Sequence, residues 1–242
     1  MIVCVTGGKG GPGATVLAIN LVVELSLRGR DCLLVDLDPC GGDVGAYLDP
    51  QRVDPRRGLL PLLKLERATV SKEAVEGECQ RIGDHLLVLL GFIRPEPDLL
   101  RGRIENLLRS AMRVAETVVV DLGRLVPGSP SLEACTVGDH FLMAVRPDLQ
   151  GALAAERALA LAPDQTEVVA TSVRRRGAAD VVELSEALGK PVAAAIPHLK
   201  DSIPRRRSRR LHRELSRIID SLSSHAQANE PLRRAPQKVT VS

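Results

Sequence analysis

Short apolar runs that end in glycine or in acidic residues recur along the chain, and helix-length segments separate most of them. Apolar runs of four to eight residues bounded by turn residues are typical of strands buried on both faces. Alternation of such strands with helices favours an α/β fold with a mostly parallel sheet. About seven strands are predicted, over residues 2–6, 32–36, 86–90, 117–121, 141–148, 167–172 and 192–196.

Helical periodicity is clearest between residues 101 and 115. Apolar side chains recur there at three- and four-residue intervals, which is the pattern of an amphipathic helix lying on a sheet. A helix over 178–188 is followed by Gly189, a typical helix stop. Further helices are predicted over 16–27 and 151–161 and, from a weaker pattern, over 59–65 and 70–80.

Composition narrows the class of protein. The chain has 242 residues, a net charge of +3 and 44% hydrophobic residues, which suits one soluble domain with a sizeable core. One Tyr, two Phe and no Trp argue against a protein that stacks single-stranded bases on aromatic side chains. Five cysteines without C-x-x-C spacing argue against a zinc site or a disulfide framework. With neither a signal peptide nor a membrane-length apolar run visible, a cytoplasmic location is expected.

The candidate chemistry centres on a glycine-rich stretch between the first strand and the first helix. Strand, glycine-rich loop and helix in this order form a phosphate cradle, because glycines let backbone N–H groups point inward and a helix N-terminus adds partial positive charge. The common pattern G-x-x-x-x-G-K-[ST] is met by Gly8, Gly13 and Thr15, but Ala14 stands where the lysine belongs. A lysine occurs instead at Lys9.

This loop resembles the deviant Walker A motif, K-G-G-x-G-[K/x]-[ST], of the MinD/ParA family of P-loop ATPases. The resemblance implies a three-layer P-loop NTPase fold over residues 1–224, with helices on both faces of the sheet and with ATP and Mg2+ as cofactors. It also implies a catalytic Lys9 that reaches the partner's nucleotide across a homodimer. The loop residues that it assigns to nucleotide binding are Gly8, Lys9, Gly10, Gly11, Pro12, Gly13, Ala14, Thr15 and Val16.

Acidic residues end two of the predicted strands. Asp36 and Asp38 form the pattern D-x-D-P before a pair of glycines, and Asp121 ends a β-branched run. These stretches resemble the A′ and Walker B motifs of the same family. The resemblance implies that Asp38 orients the attacking water and that Thr15, Asp36 and Asp121 form the site of Mg2+, which prefers oxygen ligands. The alternative is that the acids only solvate or cap their strand ends.

Two positions near the ends of later strands bear on base recognition. In the family, an Asn at the end of the strand over 167–172 often helps to recognise adenine, and here Ser172 stands in its place. In relatives, an Ile-Pro turn borders the adenine, and Pro197 corresponds to the proline of that turn. The resemblance therefore assigns Ser172 and Pro197 to nucleotide binding and leaves base specificity open.

A basic segment, Arg205–Arg217, follows the last predicted strand, and apolar residues at 211, 215, 218, 219 and 222 keep helical spacing within and beyond it. Three interpretations stay open: a final helix packed on the sheet, a surface for nonspecific DNA, and a helix at an anionic membrane surface. The last of these would recruit the protein to the inner face of the membrane. Residues 225–242 are predicted to form a disordered polar tail.

The small residue Ala14 in place of the P-loop lysine resembles the CpaE/TadZ-like branch of the family, whose members act in pilus assembly. We therefore expect a nucleotide-linked homodimer that acts as a positioning or assembly switch, with weak or no ATP hydrolysis and with partners from a pilus or division apparatus. Two alternatives are a DNA-partitioning ATPase that uses the basic segment and a scaffold that binds no nucleotide.

Overall fold

The computed structural model describes residues 1–11, 13–42, 44–48, 53–64, 70–174, 177–201 and 208–233, with side chains as far as residue 224. Its centre is an eight-stranded sheet in the order β3-β4-β2-β5-β1-β6-β7-β8. Neighbouring strands are parallel, except that β3 runs antiparallel to β4. The strands are β1 Ile2–Gly7, β2 Cys32–Asp36, β3 Gln80–Gly83, β4 Leu86–Leu89, β5 Thr117–Arg124, β6 His140–Val145, β7 Glu167–Val173 and β8 Val192–Pro197.

Helices connect the strands and cover both faces of the sheet. The α-helices are α1 Ala14–Leu27, α2 Val44–Tyr47, α3 Leu59–Lys64, α4 Lys72–Glu78, α5 Pro97–Leu100, α6 Ile104–Ala111, α7 Leu149–Leu159, α8 Ala178–Leu188 and α9 Arg209–Arg233, and a 3-10 helix spans Pro130–Thr136. Among the helices that the structure describes, none is both long and apolar enough to cross a membrane.

Alternate side chains of each central strand enter different layers of the core. Val3 and Val5 of β1 pack with α1 and α9 on one face. Ile2 and Cys4, one position out of phase, pack on the opposite face with α3, α4 and α6. Both faces are therefore buried, which explains why β1 reads as a continuous apolar run. The predicted three-layer P-loop NTPase architecture is confirmed.

The sheet has one strand more than the predicted seven. The additional strand is β3, which forms one edge and pairs only with β4 in the described part of the chain. The helix predicted over 70–80 ends earlier, with α4, because Cys79 takes an extended backbone (φ −69°, ψ 148°). A four-residue edge strand with a mixed buried and exposed pattern gives little periodic signal.

The C-terminal helix α9 packs its apolar side on the core. Leu211, Leu215 and Ile218 are buried in the same cluster as the side chains of α1. The interpretation as a membrane-surface helix needs this apolar side to be free, and the structure buries it. Arg205–Arg207 of the predicted basic segment lie outside the described residues, while α9 continues to Arg233, past the predicted start of the tail at residue 225.

Buried carboxylates fasten α9 to its neighbours. The Ala195 N–H of β8 donates to Glu214 Oε2 (3.2 Å), and Arg213 and Arg217 form ion pairs with the same buried carboxylate. Glu24 of α1, whose side chain is also buried, pairs with His212 Nδ1 at 3.0 Å. These contacts hold the helix against both the sheet edge and α1.

We predict that Leu215→Ala lowers the free energy of unfolding by about 2–5 kcal/mol, the usual cost of emptying a buried leucine site. Arg209→Ala, at an exposed position of the same helix, should leave it nearly unchanged. Urea unfolding of both variants measures the difference. Equal stabilities would contradict the packing of α9 on the core.

Candidate functional site

The predicted site residues gather at the carboxyl ends of the parallel strands. The chain starts at the central strand β1, builds the sheet outward through β2 and β4, returns to β5, and then builds the other half from β6 to β8. The strand order therefore reverses around β1. In open α/β sheets, ligands bind in the crevice outside the strand ends at such a switch point.

The glycine-rich loop joins β1 directly to the N-terminus of α1. Gly11 (φ 76°) and Gly13 (φ 91°) adopt left-handed backbone conformations that side chains disfavour, and Gly13 caps α1 without a side-chain hydrogen bond. The helix begins at Ala14, two residues earlier than the predicted Val16, so that Ala14, Thr15 and Val16 form its first turn. The backbone N–H groups of this turn have no intrahelical acceptors and favour an anion. Pro12 lies outside the described residues.

Gly8 fixes the loop against the neighbouring helix α7. A Cβ added at Gly8 would collide with the backbone carbonyl of Ala154, whereas a Cβ at Gly10 would meet no atom within 4 Å among those described. The first glycine is therefore required by packing. The second leaves open space at the mouth of the cradle, which fits a bound phosphate chain.

Asp36 and Asp121 lie side by side at the ends of β2 and β5, where they are register partners. Both are almost completely buried, at 1% and 0% exposure. Asp36 accepts hydrogen bonds from Asp38 N (3.3 Å) and Val44 N (3.1 Å), and Asp121 Oδ1 accepts one from Gly123 N (3.1 Å). Burial first, and the Asp121 carboxylate second, raise the pKa of Asp36 well above its usual range.

Glycines make room for both acidic strand ends. A Cβ on Gly42 would collide with the Asp36 carboxylate, and one on Gly91 would come within 2.7 Å of its Cγ. A Cβ on Gly123 would likewise collide with the carboxylate of Asp38. The Oδ1 of Asp38 accepts a hydrogen bond from Cys40 N (2.8 Å). Asp38 is half-buried and therefore lies closer to solvent than the Asp36–Asp121 pair.

The loop lysine forms an ion pair that sequence reasoning missed. Lys9 Nζ lies 3.5 Å from Asp148 Oδ1, and the two side chains are 28% and 41% exposed. Asp148 also accepts a hydrogen bond from Gly151 N (2.6 Å) as the N-cap of α7 and pairs with Arg146 (3.2 Å). Burial alone would raise the pKa of Asp148, but the Gly151 N–H, Lys9 and Arg146 together lower it. Asp148 is the last residue of a predicted strand, which is the only signal in the sequence.

Ser172 and Pro197, the predicted base-recognition positions, lie near the ends of adjacent strands. Pro197 is the register partner of Val173, one residue after Ser172. Ser172 is the one non-glycine residue with positive φ (54°) in the part of the chain that the structure describes, and its side chain is exposed. Thr171 faces the loop, since its Cβ lies 3.6 Å from the position of a Cβ on Gly13. Thr171, the residue before Ser172, therefore contacts the loop, and the roles of Ser172 and Pro197 stay predictions.

The N-terminus of α1, the Thr15 hydroxyl and the two buried carboxylates fit a phosphate chain that carries a bound magnesium ion. The described residues contain no group of three or more His, Cys, Asp or Glu side chains that could enclose a metal ion. Mg2+ does not need such a cage, because it is usually held by one or two carboxylates together with waters and substrate phosphates. The buried pair Asp36–Asp121, with the Thr15 hydroxyl in the first turn of α1, has that composition.

A family model described as the CobQ/CobB/MinD/ParA nucleotide binding domain matches residues 3–224. The chain belongs to this family. The antiactivator FleN of Pseudomonas aeruginosa is 34% identical over 96 residues, which cover 40% of this chain and 29% of FleN. The matches to curated relatives span about a third of those relatives' length or less.

Solved structures of MinD/ParA proteins share the fold. A ParA family ATPase from Chlorobium tepidum TLS has a TM-score of 0.71 at 18% identity, over 97% of this chain and 93% of that one. The septum site-determining protein MinD from Pyrococcus horikoshii, complexed with Mg-ADP, has a TM-score of 0.65 at 14% identity, over 94% and 97%. The predicted MinD/ParA membership is thus confirmed, whereas the CpaE/TadZ-like branch stays a prediction.

We predict that Gly8→Ala lowers the free energy of unfolding of the nucleotide-free protein by about 1–3 kcal/mol, because the new methyl group overpacks the contact with α7. Gly10→Ala is the matched control, since its methyl group enters open space. Urea unfolding compares the two. A Gly8→Ala protein as stable as Gly10→Ala would show that the loop does not rest on α7.

We predict that Asp121→Asn raises the Tm of the metal-free protein at pH 8 and changes it little at pH 5. The raised pKa of Asp36 means that the folded state retains a proton that the unfolded chain releases, so stability falls as pH rises above the ordinary carboxyl range. Removing the Asp121 charge removes repulsion that exists only once Asp36 ionises.

Thermal melts in EDTA at both pH values test this, with Asp84→Asn, an exposed carboxylate, as the control. The same Asp121→Asn variant should lose any rise in Tm produced by Mg-ATP. An equal change in Tm at both pH values would mean that the two carboxylates do not repel each other in the folded protein.

Proposed function

We propose that this protein binds Mg-ATP in the cradle at residues 8–16 and that binding drives formation of a homodimer. In that dimer Lys9 of each protomer reaches the partner's nucleotide. The dimer acts as a positioning or assembly switch with weak or no ATP hydrolysis, as in the CpaE/TadZ-like branch. Membership of the nucleotide-binding family supports the binding step, and the loop chemistry supports the rest.

One observation carries the proposal: the only lysine of the glycine-rich loop, Lys9, has a partly exposed side chain that can extend to a second protomer. Ala14 is buried in the first turn of α1, so the position of the usual P-loop lysine carries no charge. Lys9 is held in a partly exposed ion pair with Asp148. Such pairs contribute about 0–1 kcal/mol, so an incoming phosphate can displace Asp148.

The missing lysine has a predictable energetic cost. A charge-assisted contact to a phosphate contributes about 1.5–3 kcal/mol, so its absence weakens binding by the monomer roughly 10- to 150-fold. The α1 N-terminus, Thr15 and the carboxylate pair remain to hold Mg-ATP. Lys9 of the partner subunit brings a lysine to the nucleotide only in the dimer, which links nucleotide binding to dimerisation.

The acidic residues have separate parts in this proposal. Asp36 and Asp121 hold Mg2+ together with Thr15, and the cation offsets the repulsion between the two buried carboxylates. Asp38, half-buried beside them, accepts a hydrogen bond from a water and orients it toward the γ-phosphate. Ser172 has no amide group to read the adenine edge, so base selectivity is expected to be modest.

A regulatory or positioning role is supported by what the similar proteins are called. FleN is named an antiactivator, and MinD is named a septum site-determining protein. On this basis we propose that the partners are proteins of a pilus or division apparatus, and that these partners recognise the ATP-bound dimer.

DNA partitioning is the second candidate, because Arg209 and Arg213 of α9 are exposed. The basic face is partly neutralised, however, since Arg213 and Arg217 both pair with the buried Glu214. ATP-stimulated, salt-sensitive binding to random duplex DNA would favour this function over the assembly switch.

Light scattering after size exclusion, with and without Mg-ATP, tests the proposal. We predict that ATP converts the wild type to a dimer and that Lys9→Ala stays monomeric. Asp148→Asn keeps an oxygen to cap α7 but removes the charge that holds Lys9, so it should dimerise at lower ATP concentrations.

The control is Lys72→Ala, which removes a half-buried lysine at the start of α4 and should behave like the wild type. A mass that ignores ATP in every variant, together with undetectable ATP binding, would identify a scaffold that binds no nucleotide. Dimerisation of Lys9→Ala at wild-type ATP concentrations would refute the role of Lys9 across the dimer.

A further inference from the structure

A β-bulge at the end of β5 sets the direction of Arg124. Between Val5 and Gly7 of β1 there is one residue, but between their partners Asp121 and Arg124 there are two. The extra residue makes room for Gly123 in a left-handed conformation (φ 60°). Bulges of this kind redirect the side chains that follow them and are frequent beside active sites.

Hydrogen bonds hold this bulge to the strand that carries the glycine-rich loop. Thr6 Oγ1 donates to Gly123 O (3.1 Å), and Leu125 N donates to Gly7 O (3.2 Å). Gly123 N donates to Asp121 Oδ1 (3.1 Å). The backbone at Arg124 is therefore fixed between the last residue of β1 and the buried carboxylate pair.

The side chain of Arg124 reaches the turn between Asp38 and Cys40. Seven buried residues precede it in β5, and Arg124 itself is exposed. Its Nη2 lies 3.8 Å from Cys40 Sγ, and Cys40 N is hydrogen-bonded to Asp38. The guanidinium thus lies beside Cys40, in the turn that follows Asp38, the residue proposed to orient the attacking water.

The charge of Arg124 is not neutralised by the residues around it. Arg146 and Lys9 both pair with Asp148, but no carboxylate within the described ranges forms an ion pair with Arg124. An arginine fork suits phosphate, because its N–H groups match phosphate oxygens two at a time. Within the described residues, the guanidinium therefore keeps the capacity to bind an anion.

We propose that Arg124 binds the terminal phosphate of ATP in its own protomer and replaces the cation lost at Ala14. This rests on the proposed function, since it needs the nucleotide in the cradle. It gives the two cations different parts: Arg124 acts in the monomer, and Lys9 acts across the dimer. Arg124 also discriminates ATP from ADP, because only ATP carries the group that it contacts.

The test measures Kd values for mant-ATP and mant-ADP with Mg2+ by fluorescence. The Lys9→Ala background keeps the protein monomeric and isolates the contribution made within one protomer. In that background we expect Arg124→Gln to weaken ATP binding about 10- to 100-fold while the affinity for ADP stays nearly constant. Arg124→Lys should recover part of the loss, because it keeps the charge but not the fork.

Arg113→Gln is the matched control. Arg113 is exposed and lines a cavity with Ile2 and Asp139 near the opposite ends of the strands, so neither Kd should change. The Tm of each variant without nucleotide shows whether Arg124→Gln acts through the fold, and we expect no change there.

The outcomes separate this inference from the function on which it rests. An unchanged Kd for ATP, or equal losses for ATP and ADP, would overturn the role of Arg124 while nucleotide binding by the parent protein would stand. If the wild type binds neither nucleotide, the proposed function and the role of Arg124 fail together.

Discussion

Two carboxyl groups, those of Asp36 and Asp121, lie next to each other in the interior of the protein at the ends of paired strands. Water is excluded there, so two negative charges are far more costly than at the surface. The surroundings reduce that cost: backbone N–H groups donate to both carboxylates, and glycines at 42 and 91 leave the space that Asp36 occupies. A divalent cation would complete the compensation.

The positive groups of the site lie around this acidic centre. The N-terminus of α1 follows the glycine-rich loop, Lys9 lies in that loop, and Arg124 ends β5, the strand that carries Asp121. A phosphate chain with a bound cation would satisfy both sets of charges at once, because its oxygens would meet the helix end while the cation would meet the carboxylates. This complementarity is the physical basis for assigning the crevice to a nucleotide.

Buried carboxylates also stabilise the packing of α9 on α1 and β8. The buried Glu24 of α1 pairs with His212 of α9, while the buried Glu214 of α9 accepts a backbone hydrogen bond from β8 and pairs with Arg213 and Arg217 of its own helix. Removing one partner of such a buried pair usually costs more than the pair contributes. The arginines of this helix therefore serve the fold as well as its surface, which explains why a basic sequence need not mean a nucleic-acid interface.

The sequence by itself determined the strand–loop–helix unit at the start of the chain, the acids at the ends of β2 and β5, and the family. These features are local, since apolar runs, glycines and strand-end carboxylates lie within a few residues of one another. Only the tertiary structure decided that Lys9 pairs with Asp148, that a bulge directs Arg124 toward Asp38, that α9 buries its apolar side, and that β3 adds an edge to the sheet. The first three depend on contacts between segments far apart in the chain, and periodicity and motif spacing carry no information about which distant segments meet. The edge strand β3 pairs with its neighbour β4, but its four residues are too few and too mixed in burial to give a periodic signal.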